Sequence, residues 1–197
     1  NIEVKSKNSI STISIIHLAA IDSKYGLNDK RKVAILGDDI DSNLELMLDV
    51  NFKKVILFSK ELINFCNMNK IQLNLILTPS LYAYVAPDPL IYNNFDDKNI
   101  NKQKSLSYVV SKSSLPSITR YLSATYSSNN HRFNCFVPHG VISNPDPKFV
   151  KSYIKKSPMR RLPEINEITD PALFLMSNAS SYINGQSLII DGGWSII

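Results

Sequence analysis

Tyr108 and Lys112 are the pair of residues in this sequence whose types and spacing best suit chemistry. They stand four residues apart in a stretch that predicts a helix, so both side chains share one helix face, with Cβ atoms roughly 5–6 Å apart. An ammonium group that close would favour the tyrosinate and lower the pKa of Tyr108. Such a tyrosine could donate and accept protons near neutral pH. The same spacing also describes an ordinary tyrosine with a solvated lysine neighbour.

Further motifs follow the Tyr108 helix in a fixed order. They are Arg132–Val141, Arg160–Pro163, Ala172–Gln186 and Leu188–Trp194. In this order and at these spacings, the run resembles the C-terminal half of the short-chain dehydrogenases/reductases. The resemblance implies an α/β fold with a doubly wound parallel sheet (Rossmann-like). It also implies a nicotinamide-dependent oxidoreductase that uses NAD or NADP and acts on a carbonyl or alcohol group of a small-molecule substrate.

The resemblance implies four catalytic residues at matching positions: Asn51, Ser80, Tyr108 and Lys112. Tyr108 would be the acid/base, and Lys112 would lower its pKa and hold the ribose hydroxyls of the cofactor. The hydroxyl of Ser80, with Thr78 as a weaker alternative, would hydrogen-bond the substrate carbonyl. Asn51 would hold a water in a proton relay behind the lysine. The alternative interpretations are a turn serine after a proline for Ser80 and an exposed helix residue for Asn51.

The cofactor-binding residues implied by the same resemblance are Ala19, Tyr108, Lys112, Pro138, Gly140 and Val141. Ala19 lies in a His-Leu-Ala-Ala segment where the family has Asn-Asn-Ala-Gly. Val141 would offer backbone hydrogen bonds to the nicotinamide carboxamide. His139 stands where the family has a glycine, so it either crowds the nicotinamide, contacts substrate, or is a tolerated loop residue.

The start of the sequence departs from a complete dinucleotide-binding fold, which opens with a strand, a glycine-rich turn and a helix. The sequence has six glycines, and no three of them form such a turn. Gly37, followed by two aspartates, is interpreted as a plain turn or strand end. The strand over residues 10–19 matches the fourth strand of the family. We therefore expect one domain over residues 1–197 that is N-terminally incomplete, whether as a fragment, a processed product or a degenerate copy.

The composition is that of a globular protein: 197 residues, 44% hydrophobic and 20% charged, with a net charge of +5. The basic residues are scattered rather than arranged with aromatic residues, which argues against a nucleic-acid partner. The longest apolar runs are too short to span a membrane. Cys66 and Cys135 have no metal-binding spacing, so we expect free thiols, no metal site and a cytoplasmic location. A homodimer or homotetramer is implied by the resemblance alone.

The patterns of apolar residues predict the elements that would position these side chains. Strands are expected at residues 10–19, 73–78, 133–137 and 187–191, and helices at about 43–69, 105–126 and 164–176. Asp41 or Ser42 could cap the first helix, and Pro116 should kink the second one directly below the catalytic pair. The polar stretch at residues 93–104 is interpreted as a loop inserted over the site.

The sequence leaves two functions open. The first is an NAD(P)-dependent oxidoreductase, whose substrate could be a sugar or nucleotide-sugar because residues 19–26 and 80–89 resemble a subgroup found with bacterial surface-sugar pathways, including nonulosonic acid synthesis and flagellin modification. The second is a non-catalytic protein of the same fold, unable to hold cofactor. The missing glycine-rich turn, His139 and Pro116 favour the second function.

Overall fold

The computed structural model describes residues 10–22, 40–92, 104–140 and 147–197. Its centre is a parallel sheet in the order β1-β2-β3-β4. The strands are β1 (Thr12–His17), β2 (Gln72–Leu77), β3 (Arg132–Pro138) and β4 (Ser187–Ile190). Neighbouring strands pair in parallel throughout, for example Ile16 with Ile76 and Leu77 with Cys135. Parallel pairing requires crossover connections, and helices lie between successive strands of this sheet.

The helices follow one another along the chain around this sheet. They are α1 (Ile40–Leu48), a π-helical turn (Asp49–Lys53), α2 (Lys54–Met68), α3 (Pro89–Tyr92), α4 (Leu106–Ser113), α5 (Leu115–Tyr126), α6 (Pro147–Lys156) and α7 (Ile165–Met176). Short 3₁₀ turns occupy Leu81–Ala83, Ser127–Asn129, Asn178–Ser180 and Trp194–Ile196. Glu164 and Glu167 form a reciprocal capping box at the start of α7.

The sheet is covered by apolar side chains on both faces. Leu75 and Leu77 of β2 belong to a core with residues of α2 and α5, whereas Ile76 between them packs with Leu175 of α7 on the opposite face. This alternation follows from the two-residue period of a strand. All of β2 after its first residue is buried, as expected for a central parallel strand with helices on both sides. The α/β doubly wound prediction is confirmed.

Most of the predicted elements are confirmed within a residue or two. The helix predicted over residues 105–126 is interrupted before Pro116, because α4 ends at Ser113 and α5 begins at Leu115 with the proline in its first turn. The predicted cap at Asp41 or Ser42 is wrong, since the helix already begins at Ile40. Helices α3 and α6 were not predicted. Gly37 and residues 93–103 lie outside the described residues.

Candidate active site

The carboxyl ends of the four strands meet at one edge of the sheet, because the strands are parallel. Ala19 follows β1, Ser80 follows β2, Pro138 ends β3, and Asp191 follows β4. Ligands of open α/β sheets bind in the crevice outside these carboxyl ends. The edge therefore brings together residues that are far apart in the sequence.

Tyr108 and Ser80 face each other at this edge. Ser80, in the loop after β2, is close enough to the phenol of Tyr108 on α4 to lower its pKa. Ser80 also caps the following 3₁₀ turn, since its Oγ accepts the N–H of Tyr82 at 3.3 Å. The capping bond restrains the serine beside the tyrosine.

Lys112 is buried one helical turn after Tyr108, with 4% of its surface exposed. Its Nζ donates a hydrogen bond of 2.5 Å to the backbone oxygen of Thr78 at the end of β2. Burial lowers the pKa of Lys112 to about 8, although the negative charge of Asp22 acts in the opposite direction. A buried lysine with a pKa near neutrality can lose and regain its proton in the working pH range.

The pKa of Tyr108 differs from the sequence prediction. It is raised above its ordinary value, first by burial of the phenol and then by the negative charge of Asp22, while the hydrogen bond to Ser80 lowers it. The prediction that Lys112 lowers this pKa is therefore wrong for the isolated chain. The ammonium of Lys112 is bound to the Thr78 carbonyl, and desolvation of the phenol is the larger effect.

Asn51 lies in the π-helical turn between α1 and α2 and is 1% exposed. Its Oδ1 accepts the N–H of Ile21 at 2.8 Å, and its Nδ2 donates to the oxygen of the same residue at 2.8 Å. Nδ2 also lies 3.1 Å from Oγ of Ser111, which is next to Lys112 on α4. The exposed-helix alternative is thus excluded. Asn51 ties the segment after β1 to the helix that carries Tyr108, and π-helical turns are frequent at functional sites.

The predicted cofactor residues are distributed along the same edge. Ala19 is exposed just beyond β1, Pro138 is half-buried at the end of β3, and Val141 lies outside the described residues. The N–H of Gly140 donates to the hydroxyl of Tyr153 on α6 at 3.3 Å. A Cβ at Gly140 would lie 2.8 Å from that hydroxyl oxygen, so the close approach of Tyr153 requires glycine here.

His139 is a buried core residue, with 3% of its surface exposed. Its ring packs on that of Tyr153 with centroids 4.7 Å apart, and neither ring nitrogen has a hydrogen-bond partner among the described residues. Burial lowers the pKa of His139, against the opposing effect of Asp191. The ring also borders a cavity of about 120 Å³ that extends to Arg161 and Asp191. Of the three sequence interpretations, that of a tolerated loop residue fits this buried packing least.

Sequence reasoning missed two charged residues beside Tyr108. Nζ of Lys104 lies 4.2 Å from the centroid of the Tyr108 ring and forms an ion pair with Asp22. The spacing of Lys104, four residues before Tyr108, could have indicated it. Asp22 gave no signal, because it reaches the site only through the fold.

Two kinds of feature are absent from the part of the chain that the structure describes. No helix in it is both long and apolar enough to cross a membrane. Within the same ranges, no group of three or more histidine, cysteine or acidic side chains is placed to hold a metal ion. Cys66 and Cys135 are free and buried, as predicted.

Known proteins are similar to this chain in sequence and in fold. The family model described as enoyl-(acyl carrier protein) reductase matches residues 90–195. Post-translational flagellin modification protein A of Campylobacter coli is 26% identical, covering 76% of this chain and 56% of that protein. Glucose 1-dehydrogenase of Gluconobacter oxydans is 29% identical, covering 78% of this chain and 54% of that protein. The chain thus spans about half the length of these curated relatives.

Solved structures show the same architecture. A short-chain dehydrogenase from Leptospira borgpetersenii with bound NAD⁺ superimposes with a TM-score of 0.74 at 22% identity, covering 94% of this chain and 65% of that one. A gluconate 5-dehydrogenase from Burkholderia cenocepacia, in complex with NADP and tartrate, gives a TM-score of 0.73 at 18% identity, with 93% and 65% covered. At these identities the structures support the fold. Together with the family-model match, they show that the chain belongs to the short-chain dehydrogenase/reductase family.

Proposed function

We propose that this chain forms the substrate and nicotinamide side of an NAD(P)-dependent oxidoreductase that interconverts a carbonyl and an alcohol. The observation that carries the proposal is the arrangement of Ser80, Tyr108 and Lys112 at the carboxyl ends of the strands. Ser80 lies near the phenol of Tyr108, whose pKa it lowers, and the buried Lys112 lies one turn after Tyr108 on the same helix.

In this proposal each residue has a separate task at the substrate oxygen. Ser80 donates a hydrogen bond that orients the carbonyl and stabilises the negative charge that develops on it. Tyr108 gives its proton to that oxygen in reduction and takes it back in oxidation. Lys112, with a pKa of about 8, supplies a proton store close behind the tyrosine. Asn51 fixes the backbone around this group through Ile21 and Ser111.

The residues at the edge fit a nicotinamide cofactor, NAD or NADP, which would supply the hydride. Ala19 has a small, exposed side chain just beyond β1. Gly140 has no side chain of its own that would block access to its backbone. Lys112 and Tyr108 would hold the ribose hydroxyls, with Pro138, Gly140 and Val141 along the nicotinamide. The N–H of Gly140 already donates a hydrogen bond to the hydroxyl of Tyr153. Helix α6, which carries Tyr153, must therefore shift if that N–H is to bind another group.

We further propose a sugar or sugar-derived substrate. The relatives include proteins named glucose 1-dehydrogenase and galactitol 2-dehydrogenase, and the latter, from Cereibacter sphaeroides, is 33% identical over 100 residues. The similarity to flagellin modification protein A agrees with the resemblance of residues 19–26 and 80–89 to a subgroup found with bacterial surface-sugar pathways. The two buried free thiols fit a reducing compartment, for which we propose the cytoplasm.

A homodimer or homotetramer is part of the proposal. Helices α2 and α5 present exposed apolar side chains that include Ile56, at 41% exposed, and Tyr121, at 67%. Between these helices lies an apolar groove of about 310 Å³. Exposed apolar patches of this kind mark protein interfaces, and a second copy of the chain is the partner that the family resemblance favours.

The test is a titration of the 197-residue chain with NADH and NADPH, followed by nicotinamide fluorescence, and then a survey of sugars, sugar alcohols and sugar acids for turnover. We expect saturable binding and turnover of at least one polyol or sugar acid. Binding without any turnover would contradict the catalytic proposal. The absence of binding at millimolar cofactor would favour the non-catalytic alternative.

A further inference from the structure

Tyr108 lies between two lysines, and the two differ in what they contact. Lys112 is the next-to-last residue of α4, and its ammonium donates a hydrogen bond to the backbone oxygen of Thr78. Lys104 stands just before the start of α4, and its ammonium lies 4.2 Å from the centre of the Tyr108 ring. A cation at this distance over an aromatic face is attracted by the ring. Among the described residues, Lys104 is therefore the cation in contact with the catalytic ring.

Asp22 holds Lys104 in this position. The two side chains form a close ion pair, in which the lysine side chain is 13% exposed and the aspartate 37%. Asp22 directly follows Ile21, whose backbone is held at both its N–H and its oxygen by Asn51. The carboxylate of Asp22 therefore belongs to a segment that Asn51 holds in place. Its ion pair restrains the ammonium end of the Lys104 side chain.

We propose that Lys104, held by Asp22, is a positioning residue that keeps the Tyr108 ring turned toward Ser80. The inference deepens the proposed function and rests on it, since it concerns the orientation of the proposed acid/base. The pair joins the segment that follows β1 to the first turn of α4. It therefore links the expected cofactor side of the site to the tyrosine.

The two charges act on Tyr108 in opposite directions. The ammonium over the ring favours a negative charge on the phenol, whereas Asp22 disfavours it and raises the pKa of Tyr108. Removing Lys104 should therefore raise the pKa of Tyr108. Removing Asp22 takes away the opposing carboxylate and also releases Lys104, so its two effects on this pKa oppose each other.

The experiment follows the ionisation of Tyr108 by the ¹³Cζ resonance of labelled tyrosine, assigned by its loss in Tyr108→Phe. Neither cofactor nor substrate is needed. We expect Lys104→Met to raise the apparent pKa of Tyr108 by about 0.5–1 unit. Lys104→Arg, which keeps the cation, should titrate like the wild type. Circular dichroism sets the pH limit up to which the fold is intact.

Lys156→Met is the matched control. Lys156 also lies over an aromatic ring, at 4.5 Å from the Trp194 centroid, and also pairs with a carboxylate, that of Asp88 at 3.6 Å. It should leave the Tyr108 resonance unchanged. A Lys104→Met shift no larger than that of the control would overturn the inference.

A second measurement separates this inference from the proposed function. With a turned-over substrate, Lys104→Met should lower kcat while KM stays nearly constant, because the substrate contacts of Ser80 remain. If Tyr108→Phe kept full activity while the Lys104→Met shift was observed, the catalytic proposal would fail and the positioning contact would stand. If Tyr108→Phe were inactive and no shift were observed, the inference alone would fail.

Discussion

Among the described residues, Lys112 carries a buried charge that contacts no buried counter-charge. Lys112 is 4% exposed, and its ammonium donates to the neutral carbonyl of Thr78. Burying an ammonium against a neutral group is costly, and the depressed pKa of about 8 expresses that cost. Positions of this kind are typical of functional sites, where activity is retained at the expense of stability.

Lys112→Met is expected to remove a pH dependence of stability. The pKa of Lys112 is about 8 in the folded chain and 10.5 ordinarily, so between these values the unfolded chain binds a proton that the folded chain does not. The free energy of unfolding of the wild type should therefore rise by about 3 kcal/mol relative to that of Lys112→Met as the pH rises through this window. Urea denaturation at several pH values measures it.

The control for this prediction is Lys60→Met, at an exposed position on α2. This variant should keep the wild-type pH profile, whereas Lys112→Met should lose about 3 kcal/mol of stability relative to the wild type between pH 8 and 10.5. At pH 7 the methionine at position 112 should stabilise by about 1–2 kcal/mol, since the lost hydrogen bond to Thr78 offsets part of the gain. Parallel profiles for Lys112→Met and the wild type would show that the ammonium is not desolvated.

The sequence predicted which residue types form the candidate site better than it predicted the contacts of each side chain. Spacing was sufficient to place Tyr108 and Lys112 on one helix face. It could not show that the lysine would bond to Thr78, because that contact depends on where β2 ends relative to α4. Asp22 and Tyr153 were missed because they reach the site from distant segments without any local pattern.

The elements that carry the site are shaped by two prolines in different helical contexts. Pro116 lies in the first turn of α5, where a backbone N–H has no helical partner to lose. Helix α4 ends at Ser113, before the proline, and a new helix begins at Leu115. Pro171 lies inside α7, where its ring faces the carbonyl of Glu167 and one helical hydrogen bond is missing.

The two prolines should respond differently to replacement by alanine. Pro171→Ala is expected to raise the free energy of unfolding by about 1–3 kcal/mol, because it restores a helical bond and relieves a clash. Pro116→Ala should lower the free energy of unfolding by less than about 1 kcal/mol. The N–H that alanine adds has no helical partner at this position, and the unfolded chain becomes more flexible. Thermal and urea unfolding of both variants provide the comparison. Equal effects would contradict this explanation of the helix break.

Elements were predicted well where the apolar period is strong. The four strands and the long helices carry continuous buried faces, and their positions followed from the sequence. Helix α6 was missed because its polar residues, including Lys155 and Lys156, obscure the few apolar positions that pack inward, such as Tyr153. The π-helical turn around Asn51 has no sequence signature, because it depends on the contacts of that side chain with Ile21.

For the whole molecule, the exposed faces of α2 and α5 predict self-association. Ile56→Glu would place a charge in the groove between these helices and should convert an oligomer to a monomer, because a carboxylate cannot be buried there without a partner. Light scattering after gel filtration measures the mass. Leu173→Glu, at a 60% exposed position on α7, is the control and should leave the mass unchanged. A wild-type chain that is already monomeric would contradict the proposed interface.

The most direct test of the central claim is the turnover of Tyr108→Phe compared with Tyr121→Phe, an exposed tyrosine on α5. Both variants remove one hydroxyl group. If Tyr108 is the acid/base, its replacement should lower kcat at saturating cofactor by about 10²–10⁴-fold, and Tyr121→Phe should match the wild type. Full turnover by Tyr108→Phe would contradict the assignment of this tyrosine and with it the proposed mechanism.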